Sequence, residues 1–221
     1  MIDAVVFDLD DLLLDSEQVW SDAKARLVRE TGGTWRPEAT TTMLGMSSPE
    51  WSRYMHDELG VNLPPEQISR EVANRLMAMY RQRLPLLPGA NEAVASLAHR
   101  WPLGLASSSN RPVIELVLEL ARFGQLFAAT VSSEEVARGK PAPDVYLEAA
   151  RRLGAEPSRC VAVEDSSNGL RSAEAAGMTT VAIPNRQFPP ADDALGRAGA
   201  VIDSLAQLRP QLLDGLAVGR S

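Results

Sequence analysis

The stretch Ile2-Asp3-Ala4-Val5-Val6-Phe7-Asp8-Leu9-Asp10-Asp11 is largely apolar up to Phe7 and then ends on acidic residues. Continuous apolar runs of this kind read as strands buried on both faces, as in a parallel sheet covered by helices. Similar runs predict strands at residues 3–8, 102–107, 127–132, 159–164 and 178–183. Polar motifs follow in chain order: Asp8-Leu9-Asp10-Asp11, Ser107-Ser108-Ser109, Gly139-Lys140-Pro141-Ala142-Pro143-Asp144 and Glu164-Asp165-Ser166-Ser167-Asn168-Gly169. Open α/β sheets bind ligands beyond the carboxyl ends of their strands, so the four motifs are expected to converge on one crevice.

Helix ends are legible too. Pro112 suits a first helical turn, and Ile114, Val117 and Leu118 repeat at helical spacing. Ser166 reads as an N-cap and Gly177 as the left-handed residue that closes a helix. Between the first and second strands the alternation stops, and residues 16–84 read as helix after helix. This stretch holds five of the seven methionines and three of the four tryptophans. It ends at Leu84-Pro85-Leu86-Leu87-Pro88-Gly89, which suits a semi-rigid connection. The expected class is α/β: a Rossmann-like parallel-sheet core with helices on both faces (residues 1–15 and 85–221), plus an inserted all-helical cap (residues 16–84). Two extended connectors, Asp15-Ser16 and the Pro85 region, would carry the cap as a lid beside the first acidic loop. Most of its Met and Trp residues are expected to fill its own core. The tail after Ala217 is expected to fray.

Composition narrows the function. A chain of 221 residues can bury a large core. Its net charge of −7 argues against nucleic acid or an anionic membrane surface as partner. The same charge repels phosphorylated ligands, so such a site needs its own positive charge from a metal or a lysine. Cys160 is the only cysteine, which excludes an internal disulfide and points to a reducing compartment. The first apolar run has no basic segment before it and no run reaches membrane-spanning length, so the expectation is a cytoplasmic protein. Nothing demands more than a monomer.

The motifs suit metal-assisted phosphoryl transfer. On extended chain, Asp8 and Asp10 point to the same side, and two such carboxylates resist joint ionisation unless a cation lies between them. One can be an ionised nucleophile while its neighbour donates and later accepts a proton. Alone, such a pair is often a turn or a helix cap, with the functional reading only a little ahead. Glu164-Asp165 repeats the arrangement. Asp8 and Asp165 from neighbouring strand ends suit Mg²⁺, which takes one or two carboxylates plus water and phosphate. Ser107 and nearby backbone amides, before a helix opening, suit phosphoryl oxygens. Of 22 basic residues only Lys24 and Lys140 are lysines, and Pro141 and Pro143 stiffen the chain around Lys140. A compact ammonium is therefore expected to matter there. Among rival chemistries, the chain has no His-Glu-x-x-His, no paired-Cys metal spacing and no Gly-rich nucleotide loop.

Taken together, these four motifs resemble the haloacid-dehalogenase-like hydrolase superfamily, in particular the helical-cap branch of β-phosphoglucomutases and small sugar-phosphate phosphatases. The resemblance covers essentially the whole chain. It implies Asp8 as a nucleophile that forms an aspartyl-phosphate. It implies Asp10 as the acid and then the base, with its main-chain carbonyl on Mg²⁺. Ser107 would hold the phosphoryl group, Lys140 would offset charge, and Asp165, aided by Glu164, would hold the metal. Substrate contacts are expected from Glu17, Trp20, Gly45, Met46 and Ser47 in the cap, and from Ser108, Asn110 and Arg111 in the core. Three departures stand out. Asp11 replaces the usual Gly. Trp20 stands where β-phosphoglucomutases carry a histidine, and Ser48 stands near their cap-loop arginine. The expected function is a Mg²⁺-dependent phosphatase of a small phosphorylated metabolite, with a sugar or polyol phosphate foremost. A phosphosugar mutase and a catalytically weak binding protein are the alternatives.

Overall fold

The computed structural model describes residues 1–218, and the tail expected to fray beyond Ala217 falls almost entirely outside them. The chain runs β1 (Ala4–Phe7), α1 (Glu17–Glu30), α2 (Ala39–Met43), α3 (Ser48–Asp57), α4 (Pro65–Gln82) and α5 (Ala90–Ala98). It continues through β2 (Leu103–Ser107), α6 (Arg111–Leu120), β3 (Phe127–Ser132), α7 (Asp144–Leu153), β4 (Cys160–Glu164) and α8 (Ser167–Ala175). It closes with β5 (Thr179–Ala182), α9 (Asp192–Leu195), β6 (Ala200–Val201) and α10 (Pro210–Val218). Each expected strand is present, trimmed by a residue or so at its ends. β6 was not expected: it is two residues long and Val201 is half exposed, so it carries no apolar run to read.

All pairings are parallel, in the order β3-β2-β1-β4-β5-β6. From β1 the chain builds outward through β2 and β3, then returns to the other side of β1 to lay down β4. The order therefore reverses between β1 and β4, and a crevice opens at their carboxyl ends. The motifs at Asp8 and Asp165 follow those two strands.

Side chains along each strand alternate between two cores, as a strand's two-residue repeat requires. Val5, Phe7, Leu103, Leu105, Val161 and Val163 face a core shared with α5 and α6. Ala4, Val6, Ala106, Cys160 and Ala162 face another, closed by Val145, Tyr146 and Ala149 of α7 and Ala173 of α8. Cys160 is thus a small buried core residue.

Helices α1–α4 form the inserted cap. Trp20, Met43, Trp51, Met55, Ile68, Val72 and Leu76 are buried in one cluster, and Trp35, Met46, Met77 and Met79 pack partly buried against it, so the Met and Trp of this stretch serve its core. Two chain passages join it to the sheet. The Leu13 carbonyl accepts from the Leu87 amide at 2.9 Å, the Asp15 amide donates to the Pro85 carbonyl at 2.8 Å, and Leu14 and Leu86 form an isolated antiparallel bridge.

The helix ends follow the chemistry read from the chain. Pro112 lies in the first turn of α6. The Ser166 hydroxyl accepts from the Gly169 amide at the start of α8, and Gly177 adopts φ +80° after its end. Gly169 also has a packing reason. A Cβ there would lie 1.8 Å from Glu164 Oε1, and Glu164 is fully buried with nowhere to turn. Gly169→Ala should therefore destabilise the fold by about 1–3 kcal/mol through overpacking. Thermal unfolding checks this, and an unchanged melting temperature would show that the α8 turn can shift away.

Candidate active site

Lys140 organises the crevice. The residue is 7% exposed, and its ammonium donates to Asp8 Oδ1 at 2.5 Å and to Glu164 Oε1 at 2.6 Å. Burial alone would lower its pKa, but the charges of Asp8 and Glu164 outweigh this and hold the group above the ordinary lysine range. Tyr146 of α7 donates its hydroxyl to the same Glu164 oxygen at 2.7 Å, and the Lys140 ammonium lies 5.1 Å from the Tyr146 ring centre. The other Glu164 oxygen accepts from the Asp165 and Ser166 amides and the Ser166 hydroxyl. Glu164 is thus tied on both oxygens and fixes Lys140 against Asp8.

Carboxylate oxygens of Asp8, Glu164 and Asp165 come within 4.8 Å of one another, and all three residues are buried. Burial pushes the Asp8 and Asp165 carboxyls well above the usual range. Lys140 draws Asp8 back in part, whereas Glu164 and Asp8 drive Asp165 further up. Among the described residues, no donor reaches the Asp165 carboxylate. Three carboxylates sharing one ammonium leave excess negative charge that a cation would relieve, and hard oxygen donors suit Mg²⁺. The residues therefore fit a divalent metal, with Asp8 and Asp165 offering the less engaged oxygens. The Asp10 side chain lies outside this group.

Asp10 instead links cap and core. Its Oδ1 accepts from the Trp20 indole N–H at 2.9 Å and its Oδ2 from the Ser109 hydroxyl at 2.6 Å. Asp11 adopts φ +58°, the left-handed turn that Gly usually supplies. Its carboxylate turns to the start of α1 and accepts from the Ser16 and Glu17 amides at 3.0 and 2.9 Å. The extra acid thus serves as an N-terminal cap for α1.

These groups border a cavity of about 500 Å³ between cap and sheet, within the usual range for small-molecule sites. Of the expected contacts, Asp8, Asp10, Lys140, Asp165, Glu17, Trp20, Gly45, Met46 and Ser108 line it. Others do not. Ser107 is fully buried, its hydroxyl accepting from the Ser109 amide at 3.0 Å, so Ser108 and Ser109 form the wall. Asn110 turns to Ser69 of α4 and to Glu134, and Arg111 binds Thr130 and Glu135. Ser47 caps α3 with Glu50, and a Cβ on Gly139 would lie 3.2 Å from its Cβ, so it packs at the joint of cap and core. Gly45, at φ +74°, meets Asn168 there, whose amide donates to its carbonyl at 3.5 Å. Ser48 is buried in the cap core.

Sequence reasoning did not single out Ser109, Tyr146, Gly169 or Lys24. Lys24 shares one α1 stripe with Glu17 and Trp20, at i, i+3 and i+7. That spacing, with the rarity of lysine in this chain, was the available signal. Burial raises the Glu17 carboxyl to about 7 against the opposing pull of Lys24.

Comparisons with known proteins identify the family. The model of the haloacid dehalogenase-like hydrolase family matches residues 2–177. A probable pseudouridine-5'-phosphatase of Drosophila melanogaster is 32% identical over 93% of this chain and 91% of its own. Hexitol phosphatase B of Escherichia coli is 34% identical over 82% of this chain and 83% of its own. The crystal structure of CbbY from Rhodobacter sphaeroides in complex with phosphate superposes with a TM-score of 0.86 at 28% identity, over 97% of this chain and 100% of that one. With four motifs gathered at one crevice and a family match across most of its length, this chain belongs to the haloacid dehalogenase-like hydrolases.

Proposed function

We propose that the protein is a Mg²⁺-dependent phosphatase that hydrolyses a small sugar or polyol phosphate through a phosphorylated Asp8. The observation that carries this reading is the buried Asp8–Lys140–Glu164 arrangement, with Asp10 two residues on at the edge of the cavity. The named relatives are phosphatases of phosphorylated sugars and nucleosides, which favours the same class of substrate.

In the first half-reaction, a carboxylate oxygen of Asp8 attacks phosphorus. The P–O ester bond breaks, and the leaving oxygen takes its proton from Asp10. In the second half, water gives a proton to Asp10 and attacks phosphorus, the Asp8–phosphoryl bond breaks, and inorganic phosphate leaves. Lys140 keeps Asp8 oriented and offsets the growing negative charge, an effect strongest where water is excluded. Ser107 holds the loop in shape so that Ser108 and Ser109 line the phosphoryl pocket. Asp8, Asp165 and Glu164 would hold Mg²⁺, with the Asp10 carbonyl as a further ligand, and the ion would supply charge neutralisation for the phosphoryl oxygens. We take residues 16–84 as the cap that closes over the leaving group and places Trp20 on Asp10.

The alternatives lose their footing. A weak binding protein rested on Asp11 spoiling the site, but its carboxylate is occupied at the start of α1. The mutase reading lacks the cap histidine and cap-loop arginine that the resemblance implies, since Trp20 and Ser48 stand at those positions.

Asp8→Asn should abolish phosphate release while leaving thermal unfolding close to wild type; near-normal turnover would remove Asp8 as nucleophile. Asp10→Asn should slow alkyl phosphates far more than aryl phosphates, whose leaving groups need little protonation. An equal loss on both would contradict the acid role. Asp11→Gly should change stability by no more than about 0.5 kcal/mol, because glycine gives up the cap but suits φ +58°, and should not raise kcat. A gain in turnover would instead restore the view that Asp11 impairs the site.

A further inference from the structure

Lys24 is the one lysine that the reaction leaves unused. It lies on α1 one turn beyond Trp20 and is 7% exposed, yet it borders the cavity. Its ammonium sits 5.4 Å from the Trp20 ring centre and 5.1 Å from that of Trp51. Among the described residues it makes no hydrogen bond and no ion pair within 4.0 Å. Burial lowers its pKa, while Glu17 and Asp10 oppose this from a distance.

A charged group with three N–H donors is costly to bury without acceptors. If Lys24 only filled the gap between two indoles, a methionine would do so without that cost. Lys140, the other lysine at the cavity, is already committed to Asp8 and Glu164. Lys24 is therefore the uncommitted cation of this wall among the described residues. It lies on the cap, the side expected to hold the leaving group. A substrate whose only charge is the transferred phosphoryl leaves Lys24 without an anion, whereas a substrate with a second charged end completes it.

We propose that Lys24 binds a second anionic group, a carboxylate or a phosphate, on the part of the substrate remote from the transferred phosphoryl group. This rests on the phosphatase reading for its orientation, and it narrows the substrate to doubly anionic phosphorylated metabolites.

The test uses two matched pairs: sorbitol 6-phosphate against 6-phosphogluconate, and fructose 1-phosphate against fructose 1,6-bisphosphate. Calorimetric binding is measured with Mg²⁺ in Asp8→Asn and in Asp8→Asn/Lys24→Met, so that turnover does not intervene. Wild-type hydrolysis of p-nitrophenyl phosphate is followed in parallel. At least one member with the second anionic group should bind more tightly than its singly phosphorylated twin. Lys24→Met should weaken it roughly 10- to 150-fold, the range for a hydrogen bond to a charged group, while the twin changes little. A carboxylate reader shows this in the first pair and a phosphate reader in the second. No preference for either member with the second anionic group, a preference that survives Lys24→Met, or an equal loss on both twins would overturn the proposal. Failure to hydrolyse p-nitrophenyl phosphate would count against the phosphatase reading and leave the binding result standing.

Discussion

A buried ammonium shared between two carboxylates is the constraint around which this site is built. Lys140 reaches Asp8 from one strand end and Glu164 from the next, with all three residues at or below 7% exposure. Removing one partner from a buried pair costs about 3–5 kcal/mol, because the remaining charge is stranded. That penalty explains why so much surrounding structure serves to hold Glu164. Tyr146 and two backbone amides satisfy it, and Gly169 makes room for it. The parallel sheet supplies the rest by reversing its strand order between β1 and β4, which brings Asp8 and Asp165 side by side.

The second theme is coupling between cap and sheet through short polar contacts. Asp10 is held by Trp20 from the cap and by Ser109 from the core, so its orientation reports whether the cap is seated. Asp11 ties the loop after β1 to the first turn of α1. Asn168 meets Gly45, where a side chain would collide with its amide, and Gly139 meets Ser47. The segments that carry the chemistry are therefore also the segments that fit the cap. A phosphoryl-transfer site benefits from this, since excluding water strengthens each charge interaction within it.

How far the chain could be read depended on what each residue answers to. Strands buried on both faces announce themselves as apolar runs, so the sheet was legible except for β6, where two half-exposed residues leave no pattern. Lys140 stood out by its rarity beside stiffening prolines, and polar motifs at strand ends picked out Asp8 and Asp165, because a strand fixes where its last residue points. Loops do not. Ser107 and Asn110 were expected at the substrate, yet the turn after β2 buries the first and sends the second to Ser69 and Glu134. Trp20 was read as a substrate contact and lines the cavity, but its bond to Asp10 needed the distance between cap and sheet, which no local pattern contains. Lys24 was visible only as a rare residue, because the two indoles that enclose it are far apart in sequence.

The central claim is that Asp8 carries the phosphoryl group between substrate and water. Acid quenching during turnover of a ³²P-labelled phosphomonoester, followed by peptide mapping, tests it most directly. The account predicts label retained on the peptide containing Asp8, released by hydroxylamine as an acyl phosphate should be, and absent when Asp8 is asparagine. Phosphate release with no trapped label, and with inversion rather than retention of configuration at a chiral phosphorus, would mean that water attacks the substrate directly. That result would contradict the account.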